Sequence, residues 1–214
     1  MTRKAYYSEK IQVSFEPRRC IHARECVHGL PGVFDVEQRP WIQPGNSDPD
    51  TVAEVVTRCP TGALQFRRED GVEEPRPAEN VIFVAKDGPL YFRGDIEVRE
   101  YDGTLLLEDT RLALCRCGES RYKPYCDNSH ENSGFRDAGL LPGSREEDPG
   151  ERGVKLGVKL TPNGPLFLKG TFEIRDAEGA TAYRGNQAAL CRCGFSGNKP
   201  FCDGSHSGAG WRDD

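Results

Sequence analysis

Two stretches of the chain share one pattern of cysteine and histidine, CRCGESRYKPYCDNSH at residues 115–130 and CRCGFSGNKPFCDGSH at residues 191–206. Each holds three thiols and one imidazole at the same spacing: Cys115, Cys117, Cys126 and His130 in the first, Cys191, Cys193, Cys202 and His206 in the second. Three soft thiolates and one borderline nitrogen complete four positions around one or two metal atoms, as zinc or an iron–sulfur cluster requires. Each stretch is therefore predicted to be a metal site.

The spacing of the ligands favours iron over zinc. Structural zinc sites accept three Cys and one His, but they usually pair ligands roughly two to four residues apart. Here the first pair is Cys-x-Cys, which sends two sulfurs from a nearly extended backbone to one metal atom. The Cys and His that follow lie four residues apart at a predicted helical start and reach a second atom. We predict a two-iron cluster in each stretch, with structural zinc as the alternative.

Both stretches resemble the CDGSH iron–sulfur domain, the mitoNEET-like family, whose pattern is Cys-x-Cys-x2-Ser/Thr-x3-Pro-x-Cys-Asp-Gly-Ser/Thr-His. The second stretch follows the pattern throughout, and the first departs once, at Asn128, where the family has Gly. Asn also accepts left-handed backbone angles, so the change is tolerable. The resemblance implies a 2Fe-2S cluster held by the three Cys and the His of each stretch.

Further residues of the two stretches are expected to support the clusters. Asp127 and Asp203 are predicted to cap the short helix that carries each His and so to orient that ligand. Hydrogen bonds to cluster sulfur, or compensation of its charge, are expected from four side chains, with plain solvent exposure as the alternative. These four are Ser120, Lys123, Ser196 and Lys199. The His ligands leave a cluster less negative and easier to reduce than a fourth thiolate would.

The two stretches belong to a duplicated unit, because Cys191 follows Cys115 by 76 positions and the same interval relates Trp211 to Phe135. Each copy predicts strands at 81–84 and 96–99, or at 154–160 and 172–175, with tight turns at Asp87-Gly88 and Asn163-Gly164. Residues 142–150 are predicted to be a flexible link. CDGSH domains commonly form homodimers around a shared β structure, so the resemblance implies that dimer within one chain. Two independent units on a string are the alternative.

Residues 1–66 predict a separate unit with its own metal site. Ile11–Phe15 alternates apolar and polar residues as a half-buried strand does, and residues 40–44 predict another short strand. A helix is predicted to start with Asp48 as N-cap and Pro49 in its first turn. Its buried face carries Val52, Val55, Val56 and, at the same spacing, Cys59.

Cys20, Cys26 and Cys59-Pro60 resemble a divergent single-cluster bacterial ferredoxin, and Ala23 stands where ordinary cubane ferredoxins have their middle Cys. Three thiolates suit a 3Fe-4S cluster, which we expect, whereas His22 as a fourth ligand would give a 4Fe-4S cluster. The chain is thus predicted to be an α+β protein. A ferredoxin-like domain at 1–68 and a charged linker precede two mainly antiparallel β CDGSH domains at 79–140 and 152–214 that form an intramolecular pseudo-dimer.

The composition of the chain restricts its partners and its cellular compartment. The chain has 214 residues, nine Cys and a net charge of −5, which excludes a nucleic-acid partner because such proteins present a basic face. Clustered thiols without a leader or a membrane-length apolar run indicate a reducing cytoplasm, and a bacterial source fits the ferredoxin-like unit.

No nucleotide loop or nucleophile–base pair is present in the sequence, so we expect a monomeric one-electron carrier to a reductase or oxygenase rather than an enzyme. Cluster storage, sensing or transfer to an apo iron–sulfur acceptor is the alternative, and a zinc adaptor protein is a third.

Overall fold

A computed structural model describes residues 3–141, 143, 145–147 and 153–213. The chain divides into two compact units, Met1–Pro75 and Arg76–Asp214. Both sheets and short helices are present, and strands predominate. Among the described residues, the helices are too short and too polar to cross a membrane.

The first unit is built on an antiparallel sheet with the order β1 (Lys4–Tyr7), β2 (Ile11–Phe15), β3 (Leu64–Arg68). The predicted alternation in β2 is confirmed, since Ile11 and Val13 are buried. In the register of the sheet, Val13 lies opposite Tyr6 on one side and Phe66 on the other.

Helical segments cover one face of that sheet: a 3-10 turn (Pro17–Arg19), α1 (Glu25–Gly29), a 3-10 turn (Pro44–Asn46) and α2 (Pro49–Thr57). The predicted start of α2 is confirmed. Asp48 accepts a hydrogen bond from the Thr51 N–H at 2.9 Å, and Pro49 occupies the first turn. The predicted face is confirmed as well, because the three valines of α2 are buried in one core with Val13 and Leu64.

Two predictions for this unit need correction. The helix ends at Thr57, so Cys59 lies beyond it, in a tighter turn in which its N–H reaches the Val56 carbonyl at 3.1 Å. The reason is Pro60, which disfavours helical angles in the residue before it. The prediction of a strand at residues 40–44 is wrong, because this segment forms only the single bridge pair Phe34–Ile42. The flanking residues Pro40 and Pro44 lack the N–H that a ladder of hydrogen bonds needs.

The second unit contains the strands of both sequence copies. They are β4 (Val81–Val84), β5 (Leu90–Arg99), β6 (Leu105–Leu114), β7 (Arg145–Glu146), β8 (Leu156–Leu160), β9 (Leu166–Arg175) and β10 (Thr181–Leu190). A 3-10 turn (Ser129–Glu131) and α3 (Ser205–Gly208) follow the cluster stretches. Within the predicted link, β7 pairs in parallel with β10, whereas residues 142, 144 and 148–150 lie outside the described part of the chain.

The strands of the two copies interleave in one sheet, which has seven strands over the described residues. Each copy makes its predicted antiparallel pairs, β4–β5–β6 and β8–β9–β10. The first strand of each copy also pairs in parallel with the second strand of the other: β4 with β9, at Ile82 and Ile174, and β8 with β5, at Leu156 and Ile96. These four side chains belong to one core that draws on both copies.

Candidate metal centres

Each cluster stretch of the second unit is a loop that folds back on the strand from which it starts. Cys115 follows β6; its N–H donates to the Pro124 carbonyl at 2.8 Å, while the Cys126 N–H donates to Ala113 at 2.9 Å. The second copy repeats the pattern, with Cys191 bonded to Pro200 and Cys202 bonded to Ala189, both at 2.8 Å. This closure brings the third Cys of each stretch back beside the first.

The predicted ligands come together as two pairs in each loop. The Sγ atoms of Cys115 and Cys117 are 3.7 Å apart, and Cys126 Sγ lies 3.5 Å from His130 Nδ1. In the second loop the corresponding distances are 3.6 Å, from Cys191 to Cys193, and 3.5 Å, from Cys202 to His206. A tetrahedral metal with bonds of about 2.3 Å to sulfur separates its ligand atoms by about 3.8 Å. Each pair therefore fits the coordination of one metal atom.

The pairs of one loop lie near one another without converging on one point. Cys126 is close enough to Cys115 for the charge of one thiolate to raise the pKa of the other. Over the described residues, no three His, Cys, Asp or Glu side chains surround a single ion position.

Burial and mutual hydrogen bonding shift the pKa values of the thiols in opposite directions. The hydrogen bond between the thiols of Cys115 and Cys117 lowers the pKa of Cys115 to about 7 and raises that of Cys117. Burial raises the pKa of Cys126 to about 12 and lowers that of His130. Cys117 and Cys126 therefore hold their protons, and a metal that enters the loop must displace them.

Backbone N–H groups point at the sulfurs and suit anionic ligands. Gly118 donates to Cys115 Sγ at 3.3 Å, Glu119 to Cys117 Sγ at 3.5 Å and Asn128 to Cys126 Sγ at 3.4 Å. In the second loop Phe195 donates to Cys193 Sγ at 3.4 Å. Such bonds favour the thiolate, the form that binds iron.

The two predicted aspartates connect the start of each loop to the turn that carries the His. Asp127 accepts from the Ser129 and Arg121 N–H groups, each at 3.0 Å. Asp203 accepts from Ser205 at 3.0 Å and Gly197 at 2.8 Å. The prediction that these aspartates are the N-caps is wrong, because Asn128 and Gly204 occupy that position with φ of 68° and 88°, and each Asp stands one residue earlier. The tolerance of Asn128 expected from the sequence is thus confirmed.

The other four predicted supporting side chains bond within their loops or lie half-buried. Ser120 donates its hydroxyl proton to the Tyr125 carbonyl at 2.6 Å, and Ser196 donates to Phe201 at 2.7 Å. Lys199 donates to the Ser196 carbonyl, and Lys123 is half-buried. The serines therefore fix the path of the loop.

Two functional residues that the sequence reasoning missed are Arg116 and Arg192, the middle residues of the Cys-x-Cys pairs. Arg116 is 1% exposed, donates to the carbonyls of Gly88 and Ala85, and pairs with the Asp137 carboxylate. Arg192 repeats these contacts with Gly164, Thr161 and Asp213. The guanidinium therefore holds each Cys-x-Cys pair against the hairpin turn of its own copy, at Gly88 or Gly164. An arginine stands between the two cysteines in both sequence copies, and this recurrence is the signal by which it could have been found from the sequence.

The site of the first unit has a different form. Cys20, Cys26 and Cys59 are each half-buried and line one cavity of about 760 Å³ together with His22 and Ala23. Burial raises the pKa of Cys20 and Cys26, and the neighbouring charge of Cys59 raises both further; for Cys26 the value reaches about 11.

The loop between Cys20 and Cys26 is tightly wound. His22 and Arg24 adopt left-handed angles, with φ of 55° and 64°, which are unfavourable for such side chains. The backbone N–H groups of His22 and Val27 partly offset the rise that burial causes in the pKa of Cys20 and Cys26, respectively. Arg19, 5% exposed, donates to the Thr61 carbonyl and so holds the Cys20 loop against the segment that follows Cys59.

These folds and sites define an iron–sulfur protein. Residues 6–69 match the family model described as a divergent 4Fe-4S mono-cluster domain. Residues 87–131 and 163–207 match the family described as an iron-binding zinc finger of CDGSH type. The chain thus belongs to the divergent 4Fe-4S mono-cluster family through its first unit and carries two CDGSH domains in its second.

Curated relatives match the first unit. "Uncharacterized protein YjdI" of Escherichia coli strain K12 is 39% identical over 66 residues, which is 31% of this chain and 87% of YjdI. YjdI of Escherichia coli O157:H7 gives the same values. No solved structure matches the chain significantly.

Proposed function

We propose that this iron–sulfur protein is a one-electron carrier. It holds two 2Fe-2S clusters in the CDGSH loops and one 3Fe-4S or 4Fe-4S cluster in the first unit, and it passes electrons to a reductase or oxygenase without being an enzyme itself. When bound, the clusters supply sites that accept and release single electrons.

The observation that carries the proposal is the direct contact between the two CDGSH loops. A side chain added at Gly118 would lie 2.4 Å from the Cys193 carbonyl oxygen, and one added at Gly194 would lie 2.5 Å from that of Cys117. Only glycine permits this approach, which puts the backbone of one ligand Cys against the loop of the other. Electron tunnelling weakens steeply with distance, so two clusters with touching ligand loops suit electron exchange.

The paired ligands support a two-iron cluster in each loop. Cys115 and Cys117 would hold one iron, and Cys126 and His130 the other; Cys191, Cys193, Cys202 and His206 repeat the arrangement. The N–H groups that face the sulfurs offset the negative charge of the ligands. A single zinc ion would instead need all four ligands around one point.

In the first unit, Cys20, Cys26 and Cys59 would hold the third cluster. Their shared cavity accommodates more than one metal atom. His22 lies on the cavity wall beside Ala23 and can supply the fourth ligand of a 4Fe-4S cluster; without it the three thiolates suit 3Fe-4S.

We further propose that the two CDGSH copies, with limits near 79–140 and 152–214, form an intramolecular pseudo-dimer, so that the chain acts as a monomer. The reciprocal pairing of β4 with β9 and of β8 with β5 supports this arrangement. The ferredoxin-like domain spans residues 1–68, and the partner is another protein rather than nucleic acid or membrane.

Cluster storage, sensing or transfer is the second candidate, favoured by one observation. His130 and His206 are only half-buried, so water reaches the ligand whose protonation would release the metal.

Stopped-flow reduction by a ferredoxin reductase, compared with the rate of cluster delivery to an apo-ferredoxin, separates the two functions. Fast reduction without delivery supports the electron carrier. Delivery faster than reduction would overturn it in favour of transfer.

A further inference from the structure

The two CDGSH loops differ at one contact that joins them. Trp211 is 7% exposed, and its indole Nε1–H donates to the Gly118 carbonyl of the opposite loop at 3.2 Å. The equivalent residue of the first copy is Phe135, whose ring has no N–H to donate. The contact therefore breaks the symmetry between two otherwise matching sites.

Trp211 and Phe135 also make one contact in common, so a comparison of the two residues isolates the effect of the indole N–H. The Trp211 ring lies 5.2 Å from the Arg192 guanidinium, and the Phe135 ring lies 5.1 Å from that of Arg116. Either ring thus stacks on the buried arginine of its own loop. Only the indole adds a hydrogen bond to the other loop.

That hydrogen bond acts on a peptide group that touches a ligand sulfur. The carbonyl of Gly118 and the N–H of Glu119 belong to one peptide unit, and this N–H donates to Cys117 Sγ at 3.5 Å. A peptide that accepts a hydrogen bond at its oxygen becomes a stronger donor at its nitrogen, because successive bonds polarise one another. The indole therefore strengthens the N–H bond to Cys117.

We propose that Trp211 is a positioning residue that raises the reduction potential of the first CDGSH cluster from the opposite loop. Hydrogen bonds to cluster and ligand sulfurs raise the potential because they stabilise the more negative, reduced state. Trp211 acts on Cys117 through the Gly118–Glu119 peptide, and Phe135 exerts no matching effect on Cys193. The inference rests on the clusters of the proposed function but not on electron delivery to a partner.

The test is a redox titration of the cluster-loaded full chain, followed by electron paramagnetic resonance, for wild type and Trp211→Phe. The phenylalanine keeps a ring over Arg192, as Phe135 does over Arg116. We expect the first cluster to become harder to reduce by about threefold in its equilibrium constant, which is about 30 mV at about 59 mV per tenfold change for one electron. The second cluster should move less than the first, because Trp211→Phe keeps an aromatic ring in the buried cluster that Trp211 forms with Cys191 and Cys193.

The two waves are assigned in a His206→Cys background. A thiolate in place of the imidazole moves the second CDGSH cluster to a lower potential, so its wave separates from that of the first CDGSH cluster; the cluster of the first unit is told apart by its own paramagnetic resonance signal. An unchanged first wave in Trp211→Phe, or an equal shift of both waves, would overturn the proposal. A chain that shows no cluster wave overturns the proposed function as well, whereas a cluster-loaded chain that reduces no partner leaves the Trp211 shift in place.

A second measurement removes the dependence on the folding of a variant. Replacement of tryptophan by 5-fluorotryptophan makes the indole N–H more acidic without changing the shape of the loop, so the first cluster should become easier to reduce. Trp41 is the other tryptophan of the chain, and Trp41→Phe serves as the matched control. No shift, or a shift that persists in Trp211→Phe, would contradict the role of Trp211.

Discussion

The ligand loops of the two units are held in place by similar arginine contacts, but they arrange their ligands differently. In both, an arginine beside a cysteine is buried and donates to backbone carbonyls: Arg116 and Arg192 in the second unit, Arg19 in the first. In the CDGSH loops the ligands meet in pairs 3.5 to 3.7 Å apart. In the first unit three half-buried thiols line a common cavity. Each ligand pair of the CDGSH loops fits one metal atom. In the cavity of the first unit, the number of metal atoms would depend on whether a fourth ligand replaces the Cys that is missing at Ala23.

The largest effect is expected from Arg116→Leu. The substitution removes the guanidinium from the Asp137 carboxylate, which keeps the Gly139 N–H, and from the carbonyls of Gly88 and Ala85, which costs about 3 to 5 kcal/mol of stability. Chemical denaturation of the metal-free chain, followed in the second unit, measures it. Arg136→Leu is the control, because that side chain is exposed. Equal losses in both variants would mean that the buried arginine does not hold the loop in place.

Arg19→Leu should cost less, about 1.5 to 3 kcal/mol, because the hydrogen bonds from Arg19 to the Thr61 carbonyl involve a neutral acceptor. The loss should appear in the first unit as faster hydrogen exchange around Cys20 and Cys59. Arg67→Leu, at an exposed position of β3, is the matched control. If Arg19→Leu destabilises its unit more than Arg116→Leu does the other, the ranking of the two arginine contacts is wrong.

Thiol titration should distinguish Cys26 of the first unit from Cys115 of the second by the sign of their contribution to stability in the metal-free chain. The pKa of Cys26 is raised from 9.0 to about 11, so the thiol favours folding below pH 9 and that contribution is lost as pH rises from about 9 to 11. The pKa of Cys115 is lowered to about 7, so its contribution is present above pH 9 and is lost as pH falls through about 7.

Thermal unfolding of Cys26→Ser and Cys115→Ser across pH 6 to 11, each compared with wild type, measures these contributions. The two difference curves should slope in opposite directions. Parallel curves would contradict the assigned environments of the two thiols.

The smallest effect is expected from Asp203→Asn, which removes charge from hydrogen bonds that Gly197 and Ser205 donate. Cluster loss should accelerate by about threefold to tenfold. Hydrogen bonds from Ser205 and Gly197 lower the pKa of Asp203, so the difference should persist at pH 5 and disappear only below the usual carboxyl range. Release monitored by visible absorbance tests this, with Asp102→Asn, at an exposed position outside the cluster loops, as the control. A difference already absent at pH 5 would contradict the lowered pKa.

Local patterns made much of the fold predictable. The alternation in β2, the Asp48-Pro49 start of α2 and the repeat of the cluster stretches each depend on residues close in sequence. The parallel pairs β4–β9 and β8–β5 were not predictable, because strands of two similar copies can pair within a copy or between copies with the same side-chain pattern. The ligand pairs followed from their spacing, whereas Arg116, Arg192 and Trp211 act through contacts with distant loops that spacing does not reveal.

The central claim, that three iron–sulfur clusters occupy these loops, is tested most directly by iron, zinc and acid-labile sulfide per chain after purification without oxygen. We predict about seven iron and eight sulfide with a 3Fe-4S cluster in the first unit, or about eight of each with 4Fe-4S. Cys115→Ser and Cys191→Ser should each remove about two of each, and Cys20→Ser the remainder of the first unit. Stoichiometric zinc without sulfide would contradict the account.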